Sequence, residues 1–368
     1  MSNPLSAPLR NALLALCALL LAFGVACKGG GSGGGGGGNG GGGVVCGGGG
    51  GAGGIGATPL IVPATFSDWT NRGPTGIEAS GVLGRWNYRL DGAISPIAAI
   101  KRDGTYYLYY IGADGNRSSD GGPRHRALGV ATSCDGLSYT PHPSNPIVEY
   151  LPNNNDEEGV FSGAVVLDDG GATVLYFGAL EANSPTATTV NADARRLSSS
   201  NGIDFPAGTS APIVLNHDDS GVWNFGDELY PIGVYRSGSM YHLYYTSQGN
   251  VVKWGLGLAS GSTSSFGPTQ ELIDPSGNSA NQIIGGGAVV LDTADHFLLF
   301  LLRDFGDRVL EVREVPTSDP ADIGSPIESY TGFPNVQHFT VLRDDSTWFL
   351  YVAELSYIRV YTAPVQRM

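Results

Sequence analysis

Ile94-Ser95-Pro96-Ile97-Ala98-Ala99-Ile100, then Arg102-Asp103-Gly104, then Tyr106-Tyr107-Leu108-Tyr109-Tyr110 is the stretch on which the fold turns. An apolar strand, a two-residue turn of the Asp-Gly kind and a second strand rich in aromatics make a β-hairpin. The same pattern returns four times, at 160–167 with 173–177, 229–235 with 241–245, 283–291 with 296–302, and 336–342 with 347–352. Each hairpin is followed by a third strand, at 127–132, 194–199, 255–260, 309–315 and 358–361. In the first three repeats a small-residue turn and an aromatic come next: Ser133-Cys134-Asp135-Gly136 with Tyr139, Ser200-Asn201-Gly202 with Phe205, and Gly261-Ser262 with Phe266. Hairpins with fixed turn chemistry recurring about 51 to 68 residues apart, with no helical periodicity after residue 57, read as blades. The expected fold is all-β: a five-bladed β-propeller of four-stranded antiparallel blades around a central axial pocket. The fifth repeat runs out after its third strand, so its outer strand is expected from residues 58–90, which would close the ring and cover an edge.

The N-terminal sequence is expected to carry this domain out of the cell. Residues 28–57 hold 21 of the 57 glycines, so they are expected to form a disordered, glycine-rich tether, leaving residues 58–368 as the folded domain. Before the tether, Arg10 and the apolar run 12–23 have the length of a signal-peptide core and end in Gly24-Val25-Ala26-Cys27. That ending resembles the lipobox of bacterial lipoproteins, in which the cysteine is acylated. The resemblance implies lipidation at Cys27 and an outer-membrane or cell-surface location, with plain secretion as the alternative. Net charge is −14 and there is no basic run, so nucleic acid is excluded as a partner. The four cysteines, at 17, 27, 46 and 134, form no CxxC pair, which argues against zinc, redox chemistry and a disulfide framework. Cys134 reads as a small buried residue. A monomer is expected.

The run from Ala127 to Tyr139 followed by Asn145-Pro146-Ile147-Val148 resembles the "GlATSxDGxxW…NPvl" stretch of five-bladed glycoside hydrolases. Gly159-Val160-Phe161-Ser162-Gly163-Ala164-Val165 resembles the "GvFSGSAv" run of family 32, and the likeness over residues 80–365 is nearest to families 43 and 32. It implies a carbohydrate partner and a pocket on the propeller axis, lined by the starts of the innermost strands, with carboxylates on opposite faces of a glycosidic bond. Where that family carries an acid before a proline, this chain has Ser95, Ser162, Tyr230, Gly285 and Val336. Acids stand slightly earlier instead, in the first three repeats.

On this basis Asp91 is the candidate base, Glu158 the orienting or pKa-tuning carboxylate and Glu228 the general acid, with Asp227 and Glu157 as alternatives. Trp86 and Trp223, near these acids, could stack on a sugar ring, and Ser162 and His338 could bind substrate. The family often places a His beneath an axial calcium, so Ca2+ near His338 is an optional cofactor; no metal ligand set is assigned, because no compact Asp-rich loop is present. A carboxylate separation of about 5 to 5.5 Å would imply retention of configuration, and about 6.5 to 9.5 Å inversion. The alternative to a glycoside hydrolase is a noncatalytic glycan-binding or surface-scaffold propeller that kept the fold and lost the acids.

Overall fold

The computed structural model describes residues 58–81, 85–87, 94–113, 126–148, 159–168, 170–182, 190–206, 211–217, 228–248, 254–273, 282–304, 308–331, 338–354 and 356–367. The short strands β1 (Leu60–Ile61) and β2 (Thr70–Glu78) precede the blades. Blade 1 is β3 (Ser95–Arg102), β4 (Thr105–Ala113), β5 (Arg126–Ser133) and β6 (Thr140–Pro141). Blade 2 is β7 (Gly159–Leu167), β8 (Thr173–Ala182), β9 (Val190–Ser199) and β10 (Ile213–Leu215). Blade 3 is β11 (Glu228–Ser237), β12 (Met240–Gln248), β13 (Trp254–Ser262) and β14 (Ser265–Ile273). Blade 4 is β15 (Gln282–Leu291), β16 (His296–Asp304), β17 (Arg308–Pro316) and β18 (Pro326–Tyr330). Blade 5 is β19 (Phe339–Arg343), β20 (Thr347–Glu354) and β21 (Tyr357–Pro364), and the chain ends on β22 (Gln366–Arg367).

The innermost strands β3, β7, β11, β15 and β19 each touch the next, and β19 returns to β3, so five blades close one ring. The fourth strand of blade 5 is β2, antiparallel to β21 with Thr70 opposite Thr362 and Glu78 opposite Tyr357. Single parallel bridges, Arg126 to Gly159 and Ala192 to Glu228, link the third strand of one blade to the first of the next.

Blades stacked face to face bury both surfaces of each sheet, which explains why the second strands are aromatic without alternation. Tyr109 and Tyr110 point to opposite faces and both are buried, one in the core shared with blade 2, the other in the core shared with blade 5. A recurrent hydrogen bond sets the blade spacing. Tyr351, Tyr109, Tyr176 and Tyr244 donate their hydroxyls to the carbonyls of Gly136, Gly202, Thr263 and Pro320, each in the turn after the third strand of the following blade. Blade 4 has Phe300 at the corresponding place in β16, against Trp348 of blade 5, whose fourth strand arrives from the N-terminus and leaves no such turn to accept a bond. The two accepting turns in blades 1 and 2 are built alike: Ser133 and Ser199 bond forward to Asp135 and Asn201, whose side chains accept the amides two and three residues further on, and Gly136 (φ 73) and Gly202 (φ 77) take the left-handed conformation. Tyr109→Phe keeps the packing and orphans the Gly202 carbonyl, so a loss of about 1 kcal/mol is expected in urea titrations.

Cys134 corrects the reading from sequence. It occupies the second position of the first of these turns, where the side chain points outward, so it is exposed rather than buried, and it is disulfide-bonded.

Blade 1 is fastened to blade 5 at the ring's seam. Asp344, in the turn between β19 and β20, accepts the Tyr106 hydroxyl at 2.5 Å and lies 3.6 Å from the Lys101 ammonium, while its other oxygen takes the Ser346 and Thr347 amides. Burial alone would raise its pKa, but the Tyr106 and amide hydrogen bonds, with Lys101, outweigh burial and hold the carboxyl below its usual range. Since the folded pKa is depressed, the unfolded chain binds the proton more readily. The resulting stability is fully present above the unfolded pKa of about 3.9 and is lost as pH falls through the lower folded value. Asp344→Asn is expected to cost about 1.5–3 kcal/mol at pH 7, and the gap to the parent should shrink as unfolding is measured toward pH 3.

Candidate functional site

The innermost strands all start at one end of the axis, and five strands converging there leave room only for small residues. A Cβ on Gly163 would lie 2.6 Å from Ile97 Cδ1, and one on Gly286 would lie 2.6 Å from the Phe339 amide nitrogen. A cavity of about 10 Å³ remains there and takes two successive residues from each blade, the first of each pair being Pro96, Ser162, Pro231, Gly286 and His338. A second, of about 30 Å³, continues along the axis between Ala98, Ala164, Gly233, Ala288 and Thr340. Each holds on the order of one water. Among the described residues the axis is therefore a packed floor, with no room for a ligand larger than water.

Two predicted site residues meet in this floor. Ser162 is 4 % exposed, and its Oγ has no hydrogen-bond partner among the described residues. Beside it, His338 is densely surrounded; burial first, and then the positive charges of Arg126 and Arg308, push its pKa down to about 3. The imidazole is thus neutral and can donate at one nitrogen while accepting at the other.

Glu228 opens β11 at the same end. Its Oε2 accepts the Tyr230 hydroxyl at 2.7 Å, and Tyr230 in turn stacks on Trp254 with ring centroids 5.1 Å apart and planes 24° from parallel. Tyr230 leads directly into Pro231 on the axis, and Gly178 makes room for its ring, since a Cβ there would be 2.7 Å from Tyr230 Cδ1. A carboxylate is thereby held next to an aromatic pair at the edge of the axial floor. Trp86 is placed differently: it lies over Gly112 and Gly129 and against Tyr110, as packing on blade 1. Asp91, Glu157, Glu158, Trp223, Asp227 and Cys27 lie outside the described residues.

One polar pair near the site has no counterpart in the other repeats among the described residues and escaped sequence reasoning. Asp193, buried in β9, accepts the His217 backbone amide at 3.0 Å and lies 2.8 Å from its Nδ1. Its neighbour Ala192 bridges to Glu228. The one available signal was a lone acid between two alanines, Ala192-Asp193-Ala194.

The floor does not suit calcium, which takes six to eight oxygen ligands. No group of three or more His, Cys, Asp or Glu side chains gathers anywhere among the described residues. At the axis a hydroxyl and a neutral imidazole face the field of two arginines, and no step of any reaction is derived through a cation here.

No family model matches this chain, and no curated protein matches it in sequence. Solved structures do resemble it. A Bacteroides thetaiotaomicron protein provisionally described as a glycosidase is 13% identical, with 80% of this chain and 96% of that one covered at a TM-score of 0.58. The β-1,2-mannobiose phosphorylase of Listeria innocua is 13% identical over 74% of this chain and 90% of its own, with a TM-score of 0.54. A family 117 glycoside hydrolase from Zobellia galactanivorans is 15% identical over 79% and 91%, with a TM-score of 0.51. What is shared at such identities is the fold: the propeller on which these glycoside-processing proteins are built.

Proposed function

We propose that this propeller is an exported glycoside hydrolase that uses carboxylates above the axial floor. The observation that carries the reading is Glu228, held by Tyr230 beside the stacked Tyr230–Trp254 pair at the end of the axis where the innermost strands begin. A carboxyl group flanked by an aromatic face is suited to a sugar ring and its glycosidic oxygen. In this reading Glu228 is the general acid, Asp91 the base and Glu158 the orienting carboxylate, with Asp227 and Glu157 as their alternates. Ser162 and His338 are neutral donors and acceptors beneath the sugar.

Export has independent support. A surface disulfide at Cys134 suits an oxidising compartment, in line with the signal sequence and lipidation at Cys27.

A second reading, a noncatalytic glycan-binding propeller, is favoured by Ser95, Ser162 and Tyr230 standing where the related enzymes carry acids. The two separate in one experiment, in which the purified protein is incubated with aryl glycosides and plant and bacterial polysaccharides. Release of reducing sugar supports the hydrolase. A glycan that binds by calorimetry but survives intact supports the binding module, and neither cleavage nor binding across the panel defeats both.

A further inference from the structure

Four of the five innermost strands bulge where they line the axis. Their register slips between Pro96 and Ala98, Val160 and Ser162, Pro231 and Gly233, and Ile283 and Gly287. A bulge leaves its extra residue unpaired in the ladder, and the water-sized cavity lined by Ser162 and His338 lies at this level. We infer that this cavity is a binding site for a monatomic anion, chloride, held by the Ser162 hydroxyl and the His338 imidazole between Arg126 and Arg308.

Two donors and two positive charges meet here. The buried Ser162 hydroxyl has a proton to give and no partner for it among the described residues, and the neutral His338 ring carries a hydrogen on one nitrogen. Arg126 opens β5 and is bridged to Gly159, three residues before Ser162. Arg308 opens β17, and strand alternation puts it on the face of Leu310 and Val312, which share a core with Phe339, the residue after His338. Both arginines act on His338, and no described carboxylate does. Arg308 is half-buried, and its guanidinium has neither an ion pair nor a hydrogen bond among the described residues. Glu228, at the same end, is engaged by the Tyr230 hydroxyl. A charge held partly out of water is costly without a counter-charge. Water in the cavity would satisfy the hydroxyl and leave the charges as they are, whereas chloride, little larger than water, answers both. A carboxylate or phosphate is too large for a cavity of about 10 Å³, and a cation would meet donors and like charge.

The test is thermal unfolding of the purified protein in methanesulfonate buffer at neutral pH, with chloride or bromide replacing methanesulfonate at constant ionic strength. Tm is expected to rise with the logarithm of halide concentration, by roughly 4 to 8 °C at about a hundredfold excess over Kd. Without halide, Ser162→Ala should unfold close to the parent, because it removes a hydroxyl that has no protein partner. The halide concentration needed for a given rise should then be roughly 10- to 100-fold higher, the loss of one hydrogen bond to a charged group, and Arg308→Gln should raise it as well. A crystal grown in bromide should place the anomalous peak within hydrogen-bond distance of Ser162 Oγ and His338. A Tm indifferent to the choice of anion means that water fills the cavity and overturns the site. So does a halide effect that survives undiminished in the Ser162→Ala, Arg308→Gln double variant, or a bromide peak elsewhere. Each of these results leaves the carbohydrate reading standing, since no sugar enters the experiment.

Discussion

Glu311→Ala is expected to cost about 3–5 kcal/mol, the largest loss of stability from any single charged residue described here. Glu311 lies on β17, 4 % exposed, in the sheet of blade 4. Its Oε2 is 2.8 Å from Arg313 Nη2 and 3.6 Å from Arg303 Nη1, and both arginines are themselves buried. One carboxylate thus offsets two guanidinium groups. Removing it leaves like charges facing each other out of water, and burial together with the neighbouring arginine already lowers the pKa of Arg303. The measurement is the urea midpoint at constant m-value. Glu311→Gln, which keeps a carbonyl acceptor and loses the charge, should fall between the parent and the alanine variant. The contrast is Asp103, whose side chain is 87 % exposed beside Arg102, where substitution should cost within about 1 kcal/mol. Replacing all three buried residues by apolar ones of similar volume should recover most of the loss. What stays missing is the hydrogen bond from Arg313 to the Gly324 carbonyl. If Glu311→Ala unfolds within 1 kcal/mol of the parent, the triad carries no such charge balance.

The blades were legible because hairpins repeat and turns have strict chemistry. Asp103 (φ 49) and Gly104 (φ 78) show why Asp-Gly marks the first hairpin: both positions need the left-handed conformation. Strand two of each repeat could be read from its aromatics, yet the reason for them could not, because it lies in neighbouring blades. Tyr351 and Gly136 are 215 residues apart in sequence and meet only once the ring closes. The buried charges Lys101, Arg303, Glu311 and Asp344 were invisible for the same reason: each is satisfied by a partner brought by another strand or another blade.

The site was legible by register more than by residue type. Counting back from the second strands placed Pro96, Gly163, Pro231 and Gly286 at equivalent positions, and all four line the same axial cavity with Ser162 and His338. Counting could not tell that Trp86 would lie flat on blade 1, since the glycines that admit it, Gly112 and Gly129, sit on different strands. Nor could it show that the Tyr230 hydroxyl binds Glu228 two residues away while its ring stacks on Trp254.

Glu228→Gln is expected to lower kcat by about 10²- to 10⁴-fold on glycosides with a poor leaving group, with KM nearly unchanged. The argument follows from what a general acid supplies. A sugar or alkoxide leaving group needs a proton as the bond breaks, and an amide cannot provide one. The glutamine can still accept the Tyr230 hydroxyl, so the loop geometry and substrate binding should persist. An aryl glycoside whose phenol is strongly acidic leaves without protonation, so its hydrolysis by the variant should be far less impaired and should lose the basic limb of the pH profile. Asp91→Asn has no such rescue, because activation of water is required whatever the leaving group. Tyr230→Phe should fall between, shifting the pH profile through the lost hydrogen bond while leaving the stacking on Trp254 in place. A Glu228→Gln protein within two-fold of the parent on every substrate would remove Glu228 from the mechanism and pass the acid's role to Asp227 beside it. Equal loss on good and poor leaving groups would instead mean that Glu228 holds the substrate and donates no proton.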